Sequence, residues 1–244
     1  MLRSDTRRLA VRCLRQLPLA CEGFHGGRSH RSSAMNYAVK EMFLTLQGEG
    51  VQAGRRAVFI RFAGCNLWSG REKDRITAVC QFCDTDFVGV DGVGGGRFAG
   101  AGELADAAVH LWGAGEALRY VVLTGGEPML QIDDALIAAL HARGFQIGVE
   151  SNGTIAAHRG IDWLCISPKA GSDVVQTSGN ELKLVWPQPG SDVAAMEGWD
   201  FDHFLVQPMD GADAVRARDA AIAFVMDRPN WRLTTQAHKV LGLR

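Results

Sequence analysis

Three things are scarce in this chain. Net charge is one: 26 Lys and Arg against 27 Asp and Glu leave −1 with histidines neutral. So even a balance exerts no general pull toward nucleic acid or an anionic membrane surface. Long hydrophobic runs are another, since none reaches the roughly 20 apolar residues that a membrane-crossing helix needs. Disulfide-type cysteine spacing is the third. Three of the six cysteines lie within nineteen residues. That clustering suits ligands in a reducing compartment better than a disulfide framework. Cys165 stands alone in an apolar run and reads as a small buried hydrophobe.

The clustered cysteines are Cys65, Cys80 and Cys83. Cys80 and Cys83 form a Cys-x-x-Cys pair, whose short turn points two sulfurs at one centre. Cys65 lies upstream across a fourteen-residue gap, so a loop must return it. A closed zinc site takes four ligands, and three cysteines with one His or Asp would satisfy it. A redox pair would leave Cys65 unexplained. A [4Fe–4S] cubane on three cysteines would leave one iron open to a ligand. The cysteines alone do not choose among these.

The 244 residues suffice for one core, expected over 35–244. Residues 1–34 differ, with seven arginines and only Asp5 and Glu22 as acids. They read as an organelle-targeting leader or as sequence ahead of a true start at Met35, and in either case as disordered and without chemistry.

From Met35 onward, Glu41–Gly50 reads as a short extended piece entering a tight glycine loop. Ala57–Gly64 is a strand interrupted by Arg61, which must reach solvent or a polar pocket because burying it unpaired is costly. The glycine-rich stretch 87–102 reads as a flexible surface loop. Further strands are expected at Tyr120–Thr124, Phe145–Val149, Trp163–Ile166, Glu181–Trp186, Phe204–Val206 and Trp231–Thr235. Helices are expected over Glu103–Trp112, Ile132–Arg143 and Ala212–Asp227. Strands alternating with helices imply a parallel α/β sheet. Seven strands with three helices are too few for a closed eight-fold barrel. The expectation is an incomplete β/α barrel, with the cysteine loop and the glycine-rich loop replacing helical crossovers. Each strand stops at a polar cluster, so Cys65, Gly126, Asn152, Lys169, Asp210 and His238 should converge at the strands' C-terminal ends, the active-site face of such barrels.

Taken together, the motifs resemble the radical S-adenosylmethionine superfamily: three cysteines after the first strand, Phe82 before the third cysteine, and Gly125-Gly126-Glu127-Pro128 ending the next strand. Within it, Gln47-Gly48-Glu49-Gly50, Arg61–Leu67, Cys83-Asp84-Thr85, Ser167-Pro168-Lys169 and Gln207-Pro208-Met209-Asp210 resemble the 7-carboxy-7-deazaguanine synthase family. The match runs from about Met35 to the C-terminus. The superfamily usually spaces its first two cysteines by three residues; the longer gap here resembles an expanded-loop subgroup, in which residues 66–79 would add a helix or a partner surface.

The resemblance implies a lyase that converts 6-carboxy-5,6,7,8-tetrahydropterin to 7-carboxy-7-deazaguanine with loss of ammonia, in queuosine and deazapurine biosynthesis. It implies a [4Fe–4S] cluster on Cys65, Cys80 and Cys83, S-adenosyl-L-methionine, and Mg²⁺ at Thr85. Substrate contacts would be Leu46, Gln47, Gly48, Glu49, Arg61, Thr124, His238 and Arg244, with Arg61 on the carboxylate. Cofactor contacts would be Phe82, Cys83, Asp84, Gly125, Gly126, Glu127, Glu150 and Asn152, then Ser167, Pro168, Lys169, Gln207, Pro208, Met209 and Asp210. In this reading Glu127 accepts from the methionine amine, which the two glycines let approach. No catalytic residue is assigned. The implied partners are the pterin, a flavodoxin- or ferredoxin-like electron donor and a second copy of the chain in a cytoplasmic homodimer, with no direct nucleic-acid or membrane contact. A radical activase acting on a protein would share the cluster and the Gly-Gly-Glu-Pro motif. It would not need Arg61 or the Gln47–Gly50 loop. A zinc module would hold no sulfide.

Overall fold

The computed structural model describes residues 36–243, so the expectations for residues 1–34 and for Arg244 fall outside the described residues. Seven apolar runs form seven parallel strands: β2 (Arg56–Phe62), β4 (Tyr120–Gly125), β5 (Gln146–Ser151), β6 (Trp163–Ile166), β7 (Ser178–Trp186), β8 (Asp200–Pro208) and β9 (Trp231–Leu233). Two more strands, β1 (Tyr37–Leu46) and β3 (Gly96–Phe98), pair antiparallel at one edge. The order is β3-β1-β2-β4-β5-β6-β7-β8-β9, with β3 and β9 as the outermost strands among the described residues. The sheet is therefore an open, incomplete β/α barrel.

Period-two alternation gives each strand two different faces. The outward residues are apolar: Val58, Ile60 and Phe62 on β2, Val121 and Leu123 on β4, Ile147 and Val149 on β5 are all buried in one core. Helix α1 (Ala101–Trp112) covers them with Leu104, Ala105, Ala108 and Trp112, and α2 (Asp134–His141) with Leu136, Ile137 and Leu140. Each fully buried leucine contributes about 1.5–3 kcal/mol relative to exposure. Asp133 caps α2 by accepting the Leu136 N–H at 2.8 Å, and it also takes the Tyr37 hydroxyl at 2.7 Å. Short α3 (Val193–Met196), the longer α4 (Ala214–Asp227) and short α5 (Ala237–Leu241) complete the chain.

Two expectations are corrected and one is extended. The extended part of Glu41–Gly50 is the second half of a ten-residue strand, β1, because pairing with β2 satisfies its backbone and buries Tyr37, Val39 and Met42, and Gln47–Gly50 follow it as the expected loop. The glycine-rich stretch is not a loose loop. The Gly92 N–H donates to Lys40 O at 2.9 Å, and Val93 O accepts the Met42 N–H at 2.8 Å. A Cβ on Gly92 or Gly95 would collide with the Lys40 carbonyl. These glycines thus lie flat on β1 and cover its open edge. Nor do the cysteine and glycine loops replace a helix, since α1 occupies the β2-to-β4 crossover. The helix-free crossovers are β5-to-β6 and β6-to-β7, which brace each other: Val175 and Gln176 both donate N–H to Gly153 O, at 2.9 and 3.0 Å.

Candidate active site

The inward faces of the parallel strands carry polar residues near their C-terminal ends, and there they line a cavity of about 320 Å³. Phe59 and Arg61 enter it from β2, Thr124 from β4, Glu150 from β5, Lys183 and Val185 from β7, and Gln207 from β8. These positions alternate with core residues, so one strand builds hydrophobic core and site at once. Register sets Arg61 beside Thr124 across β2 and β4. Phe43 stacks on Phe59 at 5.8 Å between ring centroids and 10° between planes, which makes part of the wall apolar.

The cysteine loop closes one side. Cys80, Phe82, Cys83, Asp84 and Thr85 all line the cavity. The Cys80 and Cys83 thiols hydrogen-bond to each other, which lowers Cys83 to about 6 and raises Cys80. Cys65 does not itself line the cavity. It packs beside Gly126, which does, and burial raises its thiol pKa. Asn66 anchors that end of the loop to the end of β5, accepting from Asn152 at 3.0 Å and donating to Thr154 at 2.7 Å. Among the described residues no three His, Cys, Asp or Glu side chains close up to hold one metal ion. A cubane sets its thiolates wider apart than a single ion does. Cys80 and Cys83 on the cavity wall, with Cys65 beside the lining Gly126, are the donor type and number that such a cluster takes.

Gly125 and Gly126 are required by packing. Gly125 sits at φ 147°, and a Cβ there would strike the Phe62 backbone; one on Gly126 would strike Gly64 O and Cys65. Their first role is to seat the end of β4 against the cysteine loop. Glu127 is not in the cavity. It is fully buried and accepts from Met129 N–H at 3.0 Å, Ser151 Oγ at 2.9 Å and Asn152 N–H at 2.8 Å. Burial raises its pKa despite these donors. It braces the β5 end through these three donors, two on Oε1 and one on Oε2. Pro168 also lies outside, its carbonyl accepting from Gln188 at 3.3 Å, while Ser167 and Lys169 on either side line the cavity.

A buried charge network forms another part of the wall. Lys183 pairs with Glu49 and, at 3.5 Å, with Glu150. Gln47 Nε2 donates to Glu150 at 2.8 Å, and Gln236 Nε2 donates to Glu49 at 3.0 Å. Burial would raise Glu49, yet the Lys183 charge and the hydrogen bonds from Lys183 and Gln236 outweigh it and hold the carboxyl down at about 2. Lys183 stays protonated: burial opposes its charge, but the two carboxylates raise its pKa well above the ordinary value. Burial lowers the Lys169 pKa. Its Nζ donates to Ser167 O at 2.6 Å and lies 5.9 Å from the Phe82 ring centroid.

Other expected residues are present with partners the sequence did not show. Arg61 gives its Nε–H to Glu41 at 2.9 Å. Lys239 on α5 joins Asp84, at 2.7 Å, to Asp210. His238 is on α5 and not at a strand end, packed against Gly48, where a Cβ would clash with its ring. Leu46, Gln47, Gly48, Asn152, Pro208 and Met209 line the cavity. Sequence reasoning missed Phe43, Phe59, Lys183, Gln236 and Lys239. Lys183 had a readable signal, a charge inside an apolar strand, like Arg61.

One observation tests for a cofactor directly. Gln207 is 5% exposed and lines the cavity, yet among the described residues its Oε1 has no partner. Buried acceptors without donors are rare, and a bound nucleoside would supply one. Backbone and amide groups from several strand ends, a lysine and an aromatic face suit a sulfonium nucleoside.

No protein-family model matches the chain. Individual proteins do. It is 61% identical over 210 residues to a 7-carboxy-7-deazaguanine synthase of Bradyrhizobium diazoefficiens. It is 61% identical over 209 residues to one of Caulobacter vibrioides. Each alignment covers 86% of this chain and all of the relative. A crystal structure of QueE from Escherichia coli superposes with a TM-score of 0.62 at 25% identity, covering 88% of this chain and all of that one. Identity of 61% across 86% of the sequence lies far above what a shared fold alone produces, and the chain belongs to the 7-carboxy-7-deazaguanine synthase family of radical S-adenosylmethionine enzymes.

Proposed function

We propose that this lyase converts 6-carboxy-5,6,7,8-tetrahydropterin to 7-carboxy-7-deazaguanine with loss of ammonia. The observation that carries the reading is that the Cys80–Cys83 turn, Arg61 and the Gln47–Glu49 loop line one cavity. A [4Fe–4S] cluster and S-adenosylmethionine go with the family. Cys65, Cys80 and Cys83 would hold the cluster, which would supply one-electron reduction of the cofactor as the source of radical chemistry.

The chain's own residues do the rest. With its Nε–H already on Glu41, Arg61 meets the substrate carboxylate through its Nη groups. Glu49, kept ionised by Lys183, accepts from the pterin's N–H edge, and Gln47, Gly48, Thr124 and His238 read the remaining donors and acceptors. Leu46, Phe43 and Phe59 exclude water beside the ring. Phe82 packs on the adenine, Gln207 Oε1 accepts from the nucleoside, and Glu150, Asn152, Ser167 and Lys169 hold its polar groups. Glu127 and Pro168 act through the backbone they fix. Thr85 offers one neutral oxygen to Mg²⁺, which takes few protein ligands and keeps several waters. Thr85→Ala is expected to keep the cluster and lose most magnesium stimulation, measured as turnover against Mg²⁺ concentration. The reading extends to a cytoplasmic homodimer served by a flavodoxin- or ferredoxin-like donor.

Anaerobic turnover with the carboxylated tetrahydropterin, following product and cofactor together, tests the proposal. Product formation with the cofactor regenerated is expected. Cofactor cleavage with no consumption of pterin would sink it.

A further inference from the structure

The fourteen residues between Cys65 and Cys80 need a physical account. Residues Glu72–Thr77 form a short 3₁₀ helix that buries no side chain, and Ile76 is 83% exposed. Burial therefore does not shape this short helix. One residue in it makes contacts that burial does not explain. Arg75 Nη1 donates to two carbonyls, Gln81 O at 2.9 Å and Cys83 O at 3.0 Å. Its Nε donates to both carboxylate oxygens of Glu72 at 2.9 Å. Its guanidinium lies 4.1 Å from the Trp68 ring centroid.

We infer that Arg75 is a positioning residue that shapes the Cys80–Cys83 turn to receive the iron–sulfur cluster. The two carbonyls frame Phe82. Held at one nitrogen, they fix the direction in which Phe82 and Cys83 leave the backbone. Phe82 and Cys83 both face the cavity, so the same contact orients a thiol and an aromatic face. The clamp is itself well founded. Trp68 is buried, meets Phe87 edge-on at 5.6 Å and donates to Arg71 O at 3.2 Å. The Leu67 carbonyl takes N–H from Val79 at 3.2 Å and from Cys80 at 3.4 Å, which closes the base of the segment. Tryptophan floor, glutamate and guanidinium thus make a rigid unit with one output, the cysteine turn. Lysine at this position would carry the charge on a point donor and lose the planar fork.

The inference rests on the cluster reading, and the experiment separates the two. The full chain is reconstituted anaerobically with iron and sulfide, and iron release to a chelator is timed for wild type, Arg75→Met, Arg75→Lys and Lys73→Met. S-adenosylmethionine affinity and the apo-protein melting transition are measured beside it. Arg75→Met is expected to lose iron roughly tenfold faster and to bind the cofactor more weakly, two hydrogen bonds from a charged donor having gone. Arg75→Lys recovers part of the difference, and Lys73→Met matches wild type. Iron release from Arg75→Met at the wild-type rate would overturn the inference. So would equal acceleration in Lys73→Met, which would make the effect one of loop charge. A fall in the apo-protein melting transition that accounts for the iron loss would make Arg75 an ordinary stabiliser and overturn it too. Wild-type protein that takes up no sulfide would instead overturn the cluster reading, before any variant is compared.

Discussion

The two faces of the parallel strands obey different rules. Outward, Ile60, Leu123 and Ile147 are interchangeable in kind: each is apolar and fills volume under α1 and α2. Inward, Arg61, Thr124, Glu150 and Lys183 are not interchangeable, because each has a named partner or faces the cavity. Hydrophobicity selects the first set and chemistry the second. A single strand such as β2 carries both in alternation. The lesson is that stability and function are separable here residue by residue, at neighbouring positions.

That separation can be broken in four ways, taken from the largest effect down. Replacing Cys65, Cys80 or Cys83 singly by alanine should abolish ring-contracting turnover while the apo fold, held by the outer face, stays intact. Turnover with iron and sulfide analysis checks it, and full activity in any one variant would break the cluster assignment. Leu136→Ala on the outer side should cost about 2–5 kcal/mol in denaturant unfolding, with a cavity left under α2. Its folded fraction should bind pterin and cofactor normally; weakened binding would mean that the faces are coupled.

Arg61→Ala should cost about 1.5–3 kcal/mol of pterin affinity, the worth of hydrogen bonds to a charged group. Uncoupled cofactor cleavage should continue, and unchanged pterin affinity by titration would remove Arg61 from the substrate site. The smallest effect is on pH. Glu49 has a folded-state pKa of about 2 against an ordinary 4.5. A depressed carboxyl stabilises above its unfolded pKa, and this contribution fades as pH falls from about 4.5 toward about 2. Glu49→Gln should flatten the pH dependence of stability over that interval. An unchanged slope would show that the Glu49–Lys183 pair does not hold in solution.

Much of this was legible beforehand. All seven parallel strands were readable because each is a short apolar run ending in polar residues. α1, α2 and α4 were readable from their periodicity. β1 and β3 were not, since β1 reads as a polar-ended extension until β2 supplies its partner, and β3 hides among glycines. α3 and α5 are too short to show a period. The cysteines and Arg61 stood out as chemistry in the wrong surroundings. The backbone donors on Glu127 were not readable, because a carboxylate in a glycine motif reads the same whatever it accepts from.

Residue order alone determined the seven parallel strands, the polar cluster that follows each and which thiols are adjacent along the chain. Those are local properties, set by period, propensity and spacing. Only folding decided that Lys183 serves Glu49 and Glu150, that Lys239 joins Asp84 to Asp210, and that Glu127 accepts from Ser151 and Asn152. Each of those outcomes depends on distances between segments up to 155 residues apart. Such distances arise from sheet register and helix packing, and no local pattern encodes them.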